Sequence, residues 1–227
     1  MDSSLLYILT FFTMTSCSNG RQQNIRATND SLKTTNSISL ESQKKIDTLE
    51  IICDSVYKNK GYKLTLRTFD TANIYETKPN TIFALCKLIN GHYSEIFRDT
   101  IFNEVQEVQF EDYNNDKVKD ILVQNFSDVR SNWSYNLYLV DTTNDKLKRI
   151  KGFEEIKVPV YNSKYDLIEN YVLSGRNWTS FYKIKSDSIL DYGITIYDGE
   201  DDNGKTTYDK GYKKAIKIIL AKEKNNR

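Results

Sequence analysis

From residue 48 onward, the chain is a series of short segments rich in branched and aromatic residues, separated by turn-forming residues. Such segments are typical of β-strands, because branched and aromatic side chains pack well on a pleated surface. We therefore predict a mostly β fold, a single antiparallel sandwich-like domain. The predicted strands cover residues 50–57, 62–69, 81–88, 105–110, 120–125, 133–140, 156–160, 171–173, 180–185 and 192–197.

Three local patterns add detail to this prediction. The clearest alternation lies in residues 133–140, where the face that carries Trp133 is predicted to be the buried one. Pro159 has no backbone donor and therefore indicates an edge strand or a strand end. Apolar residues between Tyr208 and Lys222 recur with helical spacing, which favours a short C-terminal helix over a closing strand.

The N-terminus carries a short apolar run, from Leu5 to Met14, followed by Thr15, Ser16 and Cys17. A run of about ten residues is too short to span a bilayer but suits the apolar region of a secretion signal. Small residues before a cysteine resemble the lipobox of bacterial lipoproteins. This resemblance implies that residues 1–17 are a signal peptide and that a lipid on Cys17 anchors the mature chain to a membrane. The alternative is a buried apolar helix.

Residues 18–45 are rich in Asn, Ser, Thr and Gln, and they cannot offset the entropy of ordering by burial. We expect a flexible tether of about 28 residues with a reach of about 30 Å. The remaining residues, 46–227, are expected to form the β domain. The lipoprotein resemblance implies a place in the cell envelope, on the outer membrane and facing the periplasm.

The charged residues nearly balance, since 32 Lys and Arg face 31 Asp and Glu and give a net charge of +1. A chain without a basic excess has no bulk attraction to nucleic acid, so we expect no nucleic-acid partner. Cys53 and Cys86 could pair in an oxidising compartment or remain buried free thiols, and the sequence leaves both alternatives open.

The most specific chemical motif is the segment 112–120, in which oxygen-bearing side chains stand at positions 112, 114, 116 and 120. A hard cation such as calcium takes oxygen ligands with this spacing. The predicted ligands are the side chains of Asp112, Asn114, Asp116 and Asp120 and the backbone carbonyl of Val118. Val123 stands where an EF-hand has its bidentate glutamate, which indicates a loop between two strands instead.

This loop resembles the calcium loops of FG-GAP repeat proteins, whose pattern is D-x-N-x-D-G-x-x-D between two strands. The chain matches the pattern except at Lys117, where the family has glycine. The resemblance implies a positive φ at that position, which costs a non-glycine residue about 1 kcal/mol. We therefore expect calcium to bind with modest affinity. The alternative is a turn of solvated carboxylates that holds no ion.

A local repeat links two segments, because Asn132-Trp133-Ser134 returns as Asn177-Trp178-Thr179. A spacing near 45 residues matches the length of a propeller blade, so a small partial β-propeller is the alternative fold. Loops before these segments carry arginine, and Trp and Arg are frequent at binding hot spots. The candidate partner contacts are Arg130, Trp133, Arg176 and Trp178.

We expect no catalytic residues. The adjacent carboxylates Glu154 and Glu155 would point to opposite faces of a strand, which does not make an acid–base pair. Residues 104–198 look like part of a group of small envelope proteins with one FG-GAP-like loop, some of which resemble periplasmic inhibitors of lysozyme. This resemblance implies a binding module that meets a periplasmic protein or glycan. The alternatives are a structural envelope lipoprotein and a glycan-active enzyme.

Overall fold

The computed structural model describes residues 47–71, 76–200 and 206–225. All of them lie in one compact unit, Gln43–Arg227. The predicted signal peptide, Cys17 and the predicted tether lie outside the described residues.

The described strands form three four-stranded antiparallel sheets that follow one another along the chain. The first sheet consists of β1 (Asp47–Ile52), β2 (Tyr62–Thr68), β3 (Thr81–Ile89) and β4 (His92–Ile101). The middle sheet consists of β5 (Val108–Glu111), β6 (Asp120–Ser127), β7 (Trp133–Asp141) and β8 (Lys146–Ile150). The third sheet consists of β9 (Pro159–Asn162), β10 (Leu167–Asn170), β11 (Trp178–Lys185) and β12 (Ser188–Tyr197). A 3₁₀ turn (Phe153–Glu155) lies between β8 of the middle sheet and β9 of the third sheet, and helix α1 (Tyr208–Asn225) ends the described chain.

The predicted mostly β, sandwich-like fold is confirmed, with three sheets in the stack. Each sheet is a meander in which neighbouring strands are also neighbours in sequence. The alternative, a partial propeller, shares this four-stranded unit. However, helix α1 rather than another sheet packs on the outer face of the third sheet, through Ala215, Ile216 and Ile219 against Phe181. The predicted C-terminal helix is therefore present. It covers the outer face of the third sheet, so among the described residues no further sheet packs there.

The middle sheet is buried on both faces. Ile121, Val123 and Tyr138 belong to the core shared with the first sheet. Leu122 and Leu137 belong to the core shared with the third sheet. The face of β7 that carries Trp133 is buried at Tyr135 and Leu137, as predicted. The implied solvent-facing side is wrong, because a strand in a sheet covered on both faces has none.

Buried asparagines tie the start of the third strand in two sheets to a neighbouring segment. Asn80 precedes β3, accepts the Asn103 N–H (2.9 Å) and donates to the Asn103 carbonyl (2.9 Å). Asn132 precedes β7 and makes the same pair of bonds to Leu173, at 2.9 and 2.8 Å. A carboxamide can do this because it presents one acceptor and one donor side by side, as a backbone does.

The repeated Asn-Trp segments have the same structural position. Asn177 precedes β11, as Asn132 precedes β7, and its carboxamide accepts the Ser174 N–H at 3.1 Å. Asn80 is the third member of this set, and the repeat was not visible there because Thr81 replaces the tryptophan. The repeat therefore reflects equivalent strands of successive sheets.

Both cysteines of the described chain are free thiols. Cys53 is buried in the core between the first and middle sheets. Cys86 lies on β3 opposite Lys63, on the other face of the first sheet from Leu64 and Leu85. The sheet itself therefore separates the two sulfur atoms. Of the two alternatives that the sequence left open, the structure has the free thiols and not the disulfide.

We expect Asn132→Ala to lower the free energy of unfolding by about 1–3 kcal/mol, because the Leu173 N–H and carbonyl lose their partners in a partly buried position. Urea unfolding measures the change. Asn144→Ala is the control, since Asn144 also makes hydrogen bonds but lies in an exposed turn with Asp141. An equal loss in the two variants would contradict this role of Asn132.

Candidate functional site

The aspartate loop connects β5 to β6, as predicted for a loop between two strands. Its first carboxylate, Asp112, accepts the N–H groups of Asn114 (3.2 Å) and Lys117 (3.0 Å). Asp116 accepts the Val118 N–H at 2.7 Å. The predicted ligand side chains thus fold back over the loop, and their oxygens are the acceptors that shape it.

Asp120 differs from the other carboxylates because it is completely buried. Its two oxygens accept the Tyr113 N–H (2.8 Å) and the Val140 N–H (3.0 Å). Burial raises the pKa of Asp120 to about 7, although these two N–H groups act in the opposite direction, and the charges of Asp116 and Asp112 raise it further. Asp120 therefore joins the loop to β7.

The backbone of the loop has the conformation that the glycine of the FG-GAP pattern implies. Lys117 has φ 71°, and Asn115 has φ 61°. The Lys117 ammonium donates to the Asn115 carboxamide oxygen at 2.6 Å. Lysine therefore occupies a left-handed position that favours glycine.

The donor types in the loop suit calcium, which prefers carboxylate and amide oxygens, and each carboxylate oxygen has a second lone pair beyond the one used by an N–H. Among the described residues, no group of three or more His, Cys, Asp or Glu side chains is gathered closely enough to hold a metal ion. The loop thus contains oxygen atoms of the types that calcium binds, and in this structure hydrogen bonds to those oxygens determine the shape of the loop.

Tyr113 extends the loop into the third sheet. Its buried ring packs edge-on against Phe153 (5.3 Å between centroids) and near Tyr161 (5.9 Å). Its hydroxyl donates to the Pro159 carbonyl at 2.9 Å. Burial raises the pKa of Tyr113 well above its usual range, so the hydroxyl remains a donor. Sequence reasoning missed Tyr113, because its position in the loop supplies no metal ligand.

A groove of about 550 Å³ lies directly above this junction. Its main walls are Trp133, Tyr135, Pro159 and Val160, with Tyr113 below them and Ser131 at the rim. The Val158 N–H donates to the Trp133 carbonyl at 2.6 Å and so fixes one wall to the other. Val160 is 57% exposed, which leaves an apolar side chain open to a ligand.

Of the predicted partner contacts, Trp133 lines the groove and Arg130 lies exposed beside it. The loop of Arg130 is held by Asp128, which accepts the N–H groups of Arg130 and Asn132 and the Lys157 ammonium. Burial raises the pKa of Asp128, but these donors prevail and hold it well below its usual range.

Arg176 and Trp178 lie elsewhere, in the third sheet. The Arg176 guanidinium donates to the Asp198 carbonyl at 2.8 Å and lies over the Tyr197 ring at 5.2 Å. Trp178 is half-buried and pairs with Tyr197 across the sheet. Of the four predicted contacts, the structure therefore places Trp133 in the groove and Arg130 next in sequence to the lining residue Ser131, and it places the other two elsewhere. It also adds Tyr135, Pro159 and Val160, of which only Tyr135 could have been found, from its alternation with Trp133.

Comparison with known proteins leaves the family open, because no protein-family model and no curated protein matches the chain. One solved structure, described as that of a Xanthomonas type IV secretion system related protein, aligns with a TM-score of 0.41 and 11% identity. The alignment covers 73% of this chain and 93% of that chain. A similarity of this size supports no statement about function. Within the described residues, no helix has the length and apolar character needed to cross a membrane.

We expect Lys117→Gly to raise the free energy of unfolding by about 0.5–1 kcal/mol, since glycine adopts φ 71° without steric cost. Chemical denaturation measures the change. Lys119→Gly, two residues later and outside the positive-φ set, is the control and should lower stability. Equal destabilisation by both substitutions would show that residue 117 is not strained.

Proposed function

We propose that this protein is a calcium-stabilised binding module of the bacterial cell envelope, tethered to the outer membrane by a lipid on Cys17 and facing the periplasm. The observation that carries the proposal is the hydrogen bond from Tyr113, within the aspartate loop, to Pro159, within the wall of the groove. Because of this bond, an ion that orders the loop would also order the surface that meets a partner.

The lining of the groove suits binding. Trp133 and Tyr135 supply aromatic surface with few rotatable bonds, and Val160 and Pro159 supply an apolar wall. Gln109 and Glu111 add polar groups at one side, and Gln109 donates to the Tyr135 hydroxyl at 3.0 Å. Glu111 is the one carboxylate among the described lining residues, so the groove offers no pair of acids for hydrolysis.

The proposed occupant is a segment of an envelope protein. Concave apolar surfaces with aromatic anchors and a polar rim are typical of protein recognition. The resemblance of the loop to those of inhibitor-like envelope proteins suggests a peptidoglycan hydrolase of the lysozyme type as the partner. With a net charge of +1, the chain would attract such a basic enzyme through local contacts rather than through long-range steering.

Calcium should raise the thermal unfolding midpoint of the natural chain. With a dissociation constant of about 10⁻⁴ M and about 10⁻³ M calcium, binding contributes about 1.4 kcal/mol, or about 3–6 °C for a domain of this size. Asp116→Asn should abolish the difference between calcium and chelator. Differential scanning calorimetry measures both midpoints.

Asp191→Asn is the matched control for that experiment, because Asp191 also accepts the N–H of the residue two positions later but lies in the third sheet, outside the aspartate loop. It should keep the full calcium effect. If the natural chain unfolds at the same temperature in calcium and in chelator, the calcium proposal is wrong.

Val160→Asp should weaken partner binding at least tenfold, because it places a charge in the apolar wall. Val129→Asp introduces the same change at a fully exposed valine in the neighbouring loop and should have no effect. The measurement is the rate at which a lysozyme-type hydrolase clears a peptidoglycan suspension in the presence of each protein. Clearing that the natural chain does not slow would refute inhibition, and equal inhibition by both variants would refute the groove as the contact.

A further inference from the structure

A second concave site lies on the opposite face of β7 from the groove. Ser134 and Asn136 point there, whereas Trp133 and Tyr135 line the groove. The cavity has a volume of about 420 Å³, within the range of small-molecule sites. Besides these two residues, its lining includes polar Asn125, Arg149 and Glu154 and the aromatic residue Phe126.

Arg149 fixes the orientation of Asn136. One guanidinium nitrogen donates to the Asp99 carboxylate (3.0 Å), and the other donates to the Asn136 carboxamide oxygen (2.8 Å) and lies 3.4 Å from Glu154. A guanidinium can only donate, so the oxygen of Asn136 must face it. The Nδ2 group of Asn136 consequently points away from Arg149.

Two residues that line this cavity each have a buried polar atom without a hydrogen-bond partner in the protein, namely Asn136 Nδ2 and Glu154 Oε2. Asn136 is 1% exposed. Buried polar atoms of folded proteins are nearly always paired, with protein, water or a ligand. The first atom needs an acceptor and the second needs a donor, and hydroxyl groups can serve either atom because they both donate and accept.

The charges of the lining disfavour an anion. Arg149 is already engaged by Asp99 and Glu154, and Lys157 is paired with Asp128 at 2.8 Å. Glu155 adds a further carboxylate to the lining. No cation of the described lining is therefore available to an anionic group, and a neutral ligand that carries several hydroxyls fits the donors and acceptors best.

The 3₁₀ turn is what brings the carboxylates to this place. The expectation that Glu154 and Glu155 point to opposite faces of a strand is wrong, because the two residues lie in the turn Phe153–Glu155 and both line the cavity. The turn is anchored by the buried ring of Phe153, which packs against Tyr113. The positions of the two acids were thus hidden from the sequence by the unpredicted turn.

We propose that this cavity binds a neutral saccharide unit, with the Asn136 carboxamide donating to a sugar oxygen and the Glu154 carboxylate accepting from a sugar hydroxyl. Phe126 supplies an aromatic surface, and Asn125 and Ser134 supply further polar groups. The site is separate from the groove and does not depend on the partner proposed for it.

Nuclear magnetic resonance on the full chain tests this site. The side-chain amide signal of Asn136, assigned by its loss in Asn136→Asp, is followed during titration with glucose, galactose, mannose and N-acetylglucosamine in turn. At least one sugar should shift this signal with saturation. Glu154→Gln, which places a donor where the sugar hydroxyl needs an acceptor, should weaken that binding at least tenfold.

Glu111→Gln and Val160→Asp are the controls, because both residues line the groove and neither lines the cavity. They should leave sugar binding unchanged whether or not the groove proposal survives. Thermal midpoints verify that each variant is folded, and if Asn136→Asp does not fold, the titrations of the natural chain and Glu154→Gln still decide the matter. If none of the four sugars moves the Asn136 signal, Asn136 Nδ2 and Glu154 Oε2 have no sugar as a partner and the proposal is overturned. A sugar affinity of Glu154→Gln equal to that of the natural chain overturns it as well.

Discussion

The buried carboxylate of Asp120 is the interaction on which the arrangement of the candidate site depends. It receives one N–H from the aspartate loop, at Tyr113, and one from the middle strand β7, at Val140. Because Tyr113 is held at its N–H by Asp120, its ring and hydroxyl lie where they can support Pro159 in the third sheet. One acid therefore connects the loop, the middle sheet and the groove. Burial opposes the ionised form of this carboxyl group and so raises its pKa.

The middle sheet imposes the second constraint, because both of its faces are covered and its polar residues must find partners inside the protein. Buried side-chain amides do so by pairing with backbone groups of neighbouring segments. Asn132 pairs with the Leu173 backbone, and the buried Gln124 accepts the N–H groups of Glu104 and Val105 at 3.2 and 3.0 Å. Among the buried amides of the middle sheet, Asn136 departs from this pattern because its Nδ2 has no partner in the protein, as is also true of Asn170 in the third sheet. Asn136 lines the cavity proposed above as a saccharide site.

The features that could be predicted from the sequence are those that depend on residues close together along the chain. The β character, the place of the aspartate loop, the left-handed conformation at Lys117 and the C-terminal helix all follow from side-chain type, spacing and turn chemistry. Strands β4 and β8 were missed because HYSEIFRDTI and KLKRI are rich in charged residues, and pairing with the preceding strand stabilises them despite this composition. The strand predicted at 171–173 is wrong, because β10 lies at Leu167–Asn170 and only Val172 of the predicted segment forms an isolated bridge. Contacts between sheets determine three further features that spacing along the chain does not encode. They are the burial of both faces of β7, the support of Pro159 by Tyr113 and the pairing of Arg149 with Asp99.

Hydrogen–deuterium exchange of the natural chain, compared in calcium and in chelator, tests whether the aspartate loop controls the groove. If it does, calcium should slow exchange at the Tyr113, Asp116 and Val118 amides and also at the Val158 amide, which bonds to Trp133 in the wall of the groove. Amides of the first sheet, such as those of β2, should be unaffected. Protection confined to residues 112–119, or exchange that is the same in both solutions, would contradict control of the groove by the loop.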